Sequence, residues 1–230
     1  HYYMRSFIKM KTFKELQEGV YDPNIFKAIF LAGGPGSGKS YVTKKITGGL
    51  GLKHVDSDPH FEKLIKAAGL SLNMPDDEYD SREPLRLRAK SVREKRKKNY
   101  LEGRLGIIID GTGKDANKLI SQSNGLMELG YDTHMIFVNT SVDVALKRNS
   151  ERDRSVPTPI VVEAWKAVQN NIGRFSQHFT GGHFVVVDNN VASEDELAKV
   201  QKIIRKLVKK KVTNTRATNW ISMELAKKRR

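Results

Sequence analysis

A glycine-rich segment that directly follows an apolar run is the part of the sequence best suited to chemistry. Gly33 and Gly38 are separated by four residues and followed by Lys39 and Ser40, which satisfies the pattern G-x-x-x-x-G-K-[ST]. Glycines without Cβ atoms let backbone N–H groups surround a phosphate, and the start of the next helix adds partial positive charge. The pattern predicts a phosphate-binding loop with Tyr41 beside it, made of Gly33, Gly34, Pro35, Gly36, Ser37, Gly38, Lys39 and Ser40.

Two side chains of this loop point to a nucleoside triphosphate as the ligand. Lys39 is expected to reach the β- and γ-phosphates of ATP, and the Ser40 hydroxyl is expected to ligate Mg²⁺. ATP and Mg²⁺ are therefore the predicted cofactors. None of the six histidines has the spacing of a metal-binding motif, and the chain has no cysteine, so disulfides and thiolate metal sites are excluded.

Carboxylates follow the next two predicted strands, where a parallel sheet binds its ligands. Transfer of a phosphoryl group to an alcohol needs a carboxylate that accepts the hydroxyl proton and oxygen ligands that organise the metal. We expect Asp58 to be the base, Asp110 to serve the water shell of Mg²⁺ or the acceptor, and Thr112 to contact the acceptor. In the alternative interpretation Asp58 and Asp110 only cap the helices that follow them. Asp56 is expected to be structural.

A cluster of charged residues further along the chain has the composition of a lid. Arg148 and Arg152 are one helical turn apart and face the same way, and Pro157 and Pro159 stiffen the connection that follows. Arginines on a lid over residues 147–159 could neutralise charge that develops on the transferred phosphoryl group, and Arg148 could also contact the nucleotide. The alternative is an exposed helix with weak surface ion pairs.

Short apolar strands alternate with helical segments, which predicts an α/β fold. We expect a P-loop kinase-like αβα sandwich, with a helical lid and a five-stranded parallel sheet made of Ala28–Ala32, Lys53–Val55, Leu105–Asp110, Thr133–Val138 and His183–Asp188. Among the predicted helices are 11–20, Pro84–Glu102 and Val161–Gln177. The predicted organisation is a helical extension over 1–24, a kinase domain over 25–211 and a basic tail over 212–230.

The charge of the chain is concentrated in two places. The 230 residues carry a formal charge of +15, and surpluses of seven and eleven cations fall within 82–104 and 199–230. Such patches favour polyanionic partners, and we expect nucleic acid, DNA rather than RNA, as the acceptor. No run of residues has the length of a membrane span and no secretory signal is present, so the sequence predicts a cytoplasmic protein without a membrane partner. Its oligomeric state stays open.

The two basic segments have specific candidate roles. Arg82, Arg86, Arg93 and Lys97 could form a phosphate track beside the acceptor, with Arg86 and Arg93 as substrate-binding residues; the alternative is a solvated helix face. In the tail, Trp220 could stack on nucleic-acid bases. A frayed or docked terminus explains the tail equally well.

Several of these motifs resemble one family of kinases. The loop, Asp58, Asp110-Gly111-Thr112 and the segment 146–152 followed by Val156-Pro157 resemble the kinase domain of bacteriophage polynucleotide 5′-hydroxyl kinases. Residues 55–61 resemble the related zeta-toxin kinases, and the resemblance covers about residues 25 to 190. It implies that Asp58 is the base and that Arg148 and Arg152 are lid arginines.

Two departures leave the acceptor open. Polynucleotide kinases carry an Arg shortly after the base, where this chain has His60 and Phe61, and their phosphatase domain is absent here. The predicted reaction is transfer of the γ-phosphate to a hydroxyl of nucleic acid, at a 5′ end or on a hydroxymethylated base. Two alternatives remain: a zeta-toxin-like kinase of a nucleotide sugar or another small molecule, and a P-loop ATPase that binds nucleic acid without kinase activity.

Overall fold

The centre of the fold is a parallel sheet. The computed structural model describes residues 19–73, 75–152, 155–191 and 193–228, and within them five strands pair in the order β2-β3-β1-β4-β5. All four pairings are parallel. The strands are β1 Lys27–Ala32, β2 Lys53–Val55, β3 Ile107–Asp110, β4 Asp132–Asn139 and β5 Phe184–Asp188.

Helices connect the strands and cover both faces of the sheet. Short 3₁₀ turns span Gly19–Tyr21 and Asp76–Glu78. The helices are α1 Lys39–Thr47, α2 Asp58–Ala67, α3 Tyr79–Glu102, α4 Ala116–Glu128, α5 Val142–Ser150, α6 Thr158–Asn170, α7 Ile172–His178, α8 Glu194–Lys209 and α9 Thr215–Lys228. None of these helices has the length and apolar character needed to cross a membrane. The predicted α/β fold with a five-stranded parallel sheet is confirmed.

The strand β1 shows how the sequence builds two hydrophobic layers. Its six residues are all buried, because the strand lies in the middle of the sheet. Ala28, Phe30 and Ala32 pack towards α4 and α7. The alternate residues Ile29 and Leu31 pack towards α1 and α8 on the other face of the sheet. A strand buried on both faces needs apolar residues at successive positions, which is why it reads as a continuous apolar run.

Two predicted helices have other bounds in the structure. The helix α3 begins at Tyr79 rather than Pro84, so a proline without an N–H lies inside the helix. The predicted helix Val161–Gln177 is two helices that begin at Thr158 and Ile172. They meet at Asn171, whose Nδ2 donates to the carbonyls of Gly113 and Lys114. These long-range bonds tie the break between the helices to the end of β3.

The predictions for the two ends of the chain have different outcomes. The helix predicted for residues 11–20 lies outside the described residues except for Gly19 and Val20, which belong to a 3₁₀ turn. The tail contains the helix α9, which docks on the body of the protein. Its Ala217 is fully buried, and the ring of Trp220 meets Phe26 edge-on with centroids 5.5 Å apart. Trp220 therefore packs in the fold, where it is not free to stack on bases.

Candidate active site

The phosphate loop lies between β1 and α1 at the carboxyl edge of the sheet. Gly36 and Gly38 have φ angles of 76° and 75°, which glycine adopts without strain. A Cβ atom on Gly36 would lie 2.0 Å from the Ala145 carbonyl oxygen, and one on Gly38 would lie 2.4 Å from Nδ2 of Asn189. The loop backbone can therefore approach its surroundings only because these positions lack side chains. Within the described residues the Ser37 hydroxyl is buried without a hydrogen-bond partner, so the loop residues fit a bound phosphate.

A residue directly after β5 holds the phosphate loop in place, and no sequence motif identifies it as part of the site. Asn189 directly follows β5, is buried, and donates from Nδ2 to the Ser37 carbonyl at 2.7 Å. The backbone carbonyl of Asn189 accepts a hydrogen bond from Nη1 of Arg148 at 2.7 Å. Arg148 thus lies beside the loop and bonds the segment after β5, and its predicted contact with the nucleotide stays a prediction. The sequence signal for Asn189 is only that a pair of polar residues follows an apolar strand, and such pairs are common at strand ends.

The carboxylates predicted for catalysis lie around the loop lysine. Lys39 Nζ pairs with the Asp110 carboxylate at the end of β3. Asp58 is the first residue of α2, and its N–H donates to Asp56 Oδ1 at 2.9 Å. Burial raises the pKa of Asp56, and the neighbouring carboxylates of Asp110 and Asp58 raise it further. Asp56 thus shapes the turn before α2, as expected, and it also borders the site.

One cavity of about 650 Å³ brings the predicted residues of the loop, the strand ends and the lid together. Its walls also include Asp56, Pro59, Glu62 and Val156. The predicted residues that line it are Gly33, Gly34, Pro35, Gly36, Ser37, Gly38, Lys39, Ser40, Tyr41, Asp58, Asp110, Thr112, Arg148 and Arg152. Arg86 and Arg93 do not line this cavity. Residues far apart in sequence therefore share one concave surface with a phosphate loop at its base.

A second cavity adjoins the first at Asp110 and Thr112. It encloses about 230 Å³, and its apolar floor includes Phe30, Val55 and Leu119. Four cations from α3 and from the segment after β3 line it: Arg93, Lys97, Lys114 and Lys118. Sequence reasoning missed Lys114 and Lys118, although both follow the third strand closely. The cavity is small and electropositive, and it lies next to the carboxylate that pairs with Lys39.

The four cations proposed as a phosphate track on α3 do not form one exposed row. Arg82 is buried and donates from Nη1 to the Pro75 carbonyl at 2.8 Å. Arg86 lies over the Phe61 ring, 5.2 Å from its centroid. The other two, Arg93 and Lys97, border the second cavity. The track prediction is therefore wrong for Arg82, because this side chain anchors the turn that precedes α3.

The predicted lid corresponds to the end of α5 and the connection to α6. Asn149 is buried and bonds Val156 twice: its Nδ2 donates to the carbonyl at 2.7 Å, and its Oδ1 accepts from the N–H at 3.0 Å. This reciprocal pair ties the two ends of the connection together. Arg152 lies between them, is exposed and borders the main cavity. The lid function stays a prediction.

Comparison with protein families decides the class of this fold. The model for the Zeta toxin family matches residues 14–198, most of the chain. The chain belongs to the Zeta toxin family. With the phosphate loop in place, it is a P-loop kinase, an enzyme that transfers a phosphoryl group from a nucleoside triphosphate to a hydroxyl. This supports the zeta-toxin part of the resemblance noted in the sequence rather than the polynucleotide-kinase part.

Two solved structures are similar to this chain, and only the first, with a TM-score above 0.5, supports the fold. A protein from Chloroflexus aurantiacus, for which kinase activity has been suggested, has 16% identity and a TM-score of 0.54 over 80% of this chain and 97% of its own. A gluconokinase from Sinorhizobium meliloti has 18% identity and a TM-score of 0.47 over 80% of this chain and 94% of its own. At these identities the likeness concerns the fold alone. A comparison with curated proteins gave no match.

Proposed function

We propose that this chain transfers the γ-phosphoryl group of ATP to a hydroxyl of a small molecule such as a nucleotide sugar, with Mg²⁺ as the metal. The observation that carries the proposal is the single cavity lined by Lys39, Ser40, Asp58, Asp110 and Arg148. It combines a phosphate loop, two carboxylates and a cation, which are the groups that phosphoryl transfer to an alcohol requires.

Each group in the cavity has a part in the proposed reaction. Backbone N–H groups of the loop and Lys39 bind the phosphates, and Ser40 ligates Mg²⁺. Asp58 accepts the proton of the acceptor hydroxyl, and Asp110 orients the acceptor or the metal's water shell. The bound nucleotide supplies the phosphoryl group, and the metal ion neutralises its developing charge. Arg148 and Arg152 add positive charge from the side of the lid.

The charge and position of the second cavity support an anionic acceptor. Its volume of about 230 Å³ is below the range of pockets for drug-sized ligands, so it would hold one end of a nucleotide sugar while the rest lies in the main cavity, which it adjoins at Asp110. The cations Arg93, Lys97, Lys114 and Lys118 would pair with a phosphate or carboxylate of that acceptor. The match to the Zeta toxin family also supports a small-molecule acceptor.

A nucleic-acid hydroxyl is the second candidate acceptor, and the same four cations are the observation that favours it. A 5′ end or an extruded hydroxymethylated base could enter the second cavity while these cations hold the flanking phosphates. The two candidate acceptors differ in size. A small molecule ends within the two cavities, whereas a nucleic-acid strand continues beyond their rim.

A panel of acceptors tests the proposal. Labelled ATP is incubated with UDP-N-acetylglucosamine, a 5′-hydroxyl oligonucleotide and hydroxymethyl-base DNA, and the transferred label is measured for each. We expect the label on the sugar nucleotide. Label on the oligonucleotide ends or on internal bases would instead select the second candidate.

Two variants connect the activity to the site. Asp58→Asn is expected to lower kcat by about 10²-fold or more while ATP still binds, because the proton acceptor is lost. Asp77→Asn, an exposed carboxylate of a 3₁₀ turn outside both cavities, is the matched control and should keep full activity. Unchanged turnover of Asp58→Asn would remove Asp58 as the base.

A further inference from the structure

The helix α8 has an unusual separation of charge along its length. Its first turn holds three carboxylates, Glu194, Asp195 and Glu196. From Lys199 to Lys211 the chain then carries seven cations and no carboxylate. These cations are Lys199, Lys202, Arg205, Lys206, Lys209, Lys210 and Lys211.

One side of α8 is buried in the core, and the opposite side is exposed to solvent. Leu197, Ile204 and Val208 are buried in the layer that α8 forms with α1 and the sheet. At 100° per residue, the opposite side presents Lys199, Lys202, Ile203, Lys206 and Lys210. All five of these residues are exposed. We call the four lysines of this side the α8 basic face.

The α8 basic face is not neutralised by the part of the chain that the structure describes. Among the described residues, none of its four lysines takes part in an ion pair. The cations of α3 differ in this respect, since Arg86 and Arg93 pair with Glu83 and Glu94. Unpaired like charges one turn apart repel each other, so this face is electrostatically suited to an anionic partner.

The α8 basic face lies away from both cavities of the candidate active site. The helix packs on the sheet face that α1 covers, whereas the second cavity is bordered by α3 and α4. The carboxyl-terminal end of α8 lies towards the amino-terminal edge of the sheet. There the charge of Lys210, which follows the helix, acts on His134 near the start of β4. A partner bound here would not occupy the acceptor pocket.

We propose that the α8 basic face binds the phosphate backbone of a nucleic acid and so tethers the enzyme to it. Side chains three and four residues apart on a helix lie about 5–6 Å from one another, which is a spacing that successive phosphates of a strand can match. An anionic membrane is the less suitable partner, because the apolar side of α8 is used in the core and only Ile203 is exposed within the face. The proposal does not depend on the identity of the acceptor.

The test compares two variants that lose the same charge. In the first, Lys199, Lys202, Lys206 and Lys210 are replaced by Gln; in the second, the exposed α3 cations Arg88, Lys90, Lys95 and Lys98 are replaced by Gln. Affinity for a labelled DNA duplex is measured between about 50 and about 200 mM salt, with a thermal melt of each variant as the folding check.

Four phosphate contacts predict a slope of about −3.6 for log affinity against log salt, a loss of about 10²-fold over this range. The α8 variant should bind at least about 10-fold more weakly at the lower salt and lose most of the slope. The α3 variant should remain within about 2-fold of the parent protein, and neither variant should lose ATP binding. Equal losses in both variants, no binding of DNA by the parent protein, or binding of phosphatidylserine vesicles in preference to DNA would each overturn the proposal.

Discussion

At the residue scale, the phosphate loop depends on the close approach of Gly36 to α5. A Cβ atom there would lie 2.0 Å from the Ala145 carbonyl oxygen and 2.7 Å from its carbonyl carbon. Both neighbours are backbone atoms in a helix, so they cannot rotate away as the end of a side chain could. The left-handed φ of 76° adds a separate cost for any residue with a Cβ.

We therefore expect Gly36→Ala to destabilise the protein by at least about 1–2 kcal/mol and to abolish ATP binding. Urea unfolding and titration calorimetry with ATP measure the two effects. Gly125→Ala is the matched control, because Gly125 lies on the exposed side of α4 and no atom comes within 4 Å of the position that an added methyl group would occupy. That change should stabilise the protein by about 0.5–1 kcal/mol. Normal ATP binding by Gly36→Ala would contradict this account of the loop.

At the scale of elements, α5 and α6 are joined across a short connection by one side chain. Asn149 forms two hydrogen bonds with the backbone of Val156, one as donor and one as acceptor. No apolar residue can replace both bonds. The position of the predicted lid arginines, Arg148 and Arg152, therefore depends on a residue that would not contact the nucleotide itself.

Asn149→Ala is expected to cost about 1–3 kcal/mol, because it leaves the Val156 N–H and carbonyl without these partners. We expect faster hydrogen exchange at the Val156 amide and a raised KM for ATP. Ser150→Ala is the control, since among the described residues the Ser150 hydroxyl bonds only the Lys147 carbonyl of its own helix. If exchange at Val156 were equally slow in the Asn149 variant, the two bonds would not hold this connection.

At the scale of the whole molecule, a buried histidine links stability to pH. His134 lies in β4, and neither of its ring nitrogens has a hydrogen-bond partner among the described residues. Its ring stacks on that of His183 with centroids 4.5 Å apart. Burial, together with the charges of His183 and Lys27, lowers the pKa of His134 to about 3. Asp132 acts in the opposite direction, and Lys210 in the same direction as Lys27.

The direction of the pH effect follows from this lowered pKa. Between about pH 6.5 and about pH 3 the unfolded chain binds a proton at His134 that the folded chain does not, so the free energy of unfolding falls as the pH falls. From about pH 6.5 to about pH 5 the loss from this one group is about 2 kcal/mol. Urea unfolding at both pH values should show a smaller pH dependence for His134→Leu than for the exposed control His54→Leu. Equal pH dependence in the two variants would exclude His134 as the source.

Elements whose signals are local could be predicted from the amino-acid sequence. Gly33 to Ser40 identified the loop, because its spacing and glycines are readable without knowing any neighbour. Continuous apolar runs placed all five strands to within two residues, since a strand buried on both faces needs apolar residues throughout. The prediction of a kinase also needed the candidate base Asp58, the lid arginines Arg148 and Arg152 and the family resemblance, because a phosphate loop alone is equally consistent with a P-loop ATPase.

Which distant residues lie together could be seen only in the folded protein. Asn189 supports the loop across more than a hundred residues, and Lys114 and Lys118 meet Arg93 in the second cavity. Charge along the sequence did not distinguish buried Arg82 from the exposed α8 basic face, because exposure depends on what packs against each helix. Long-range contacts leave no periodic pattern in the chain, so the fold had to be known before these residues could be assigned to a site.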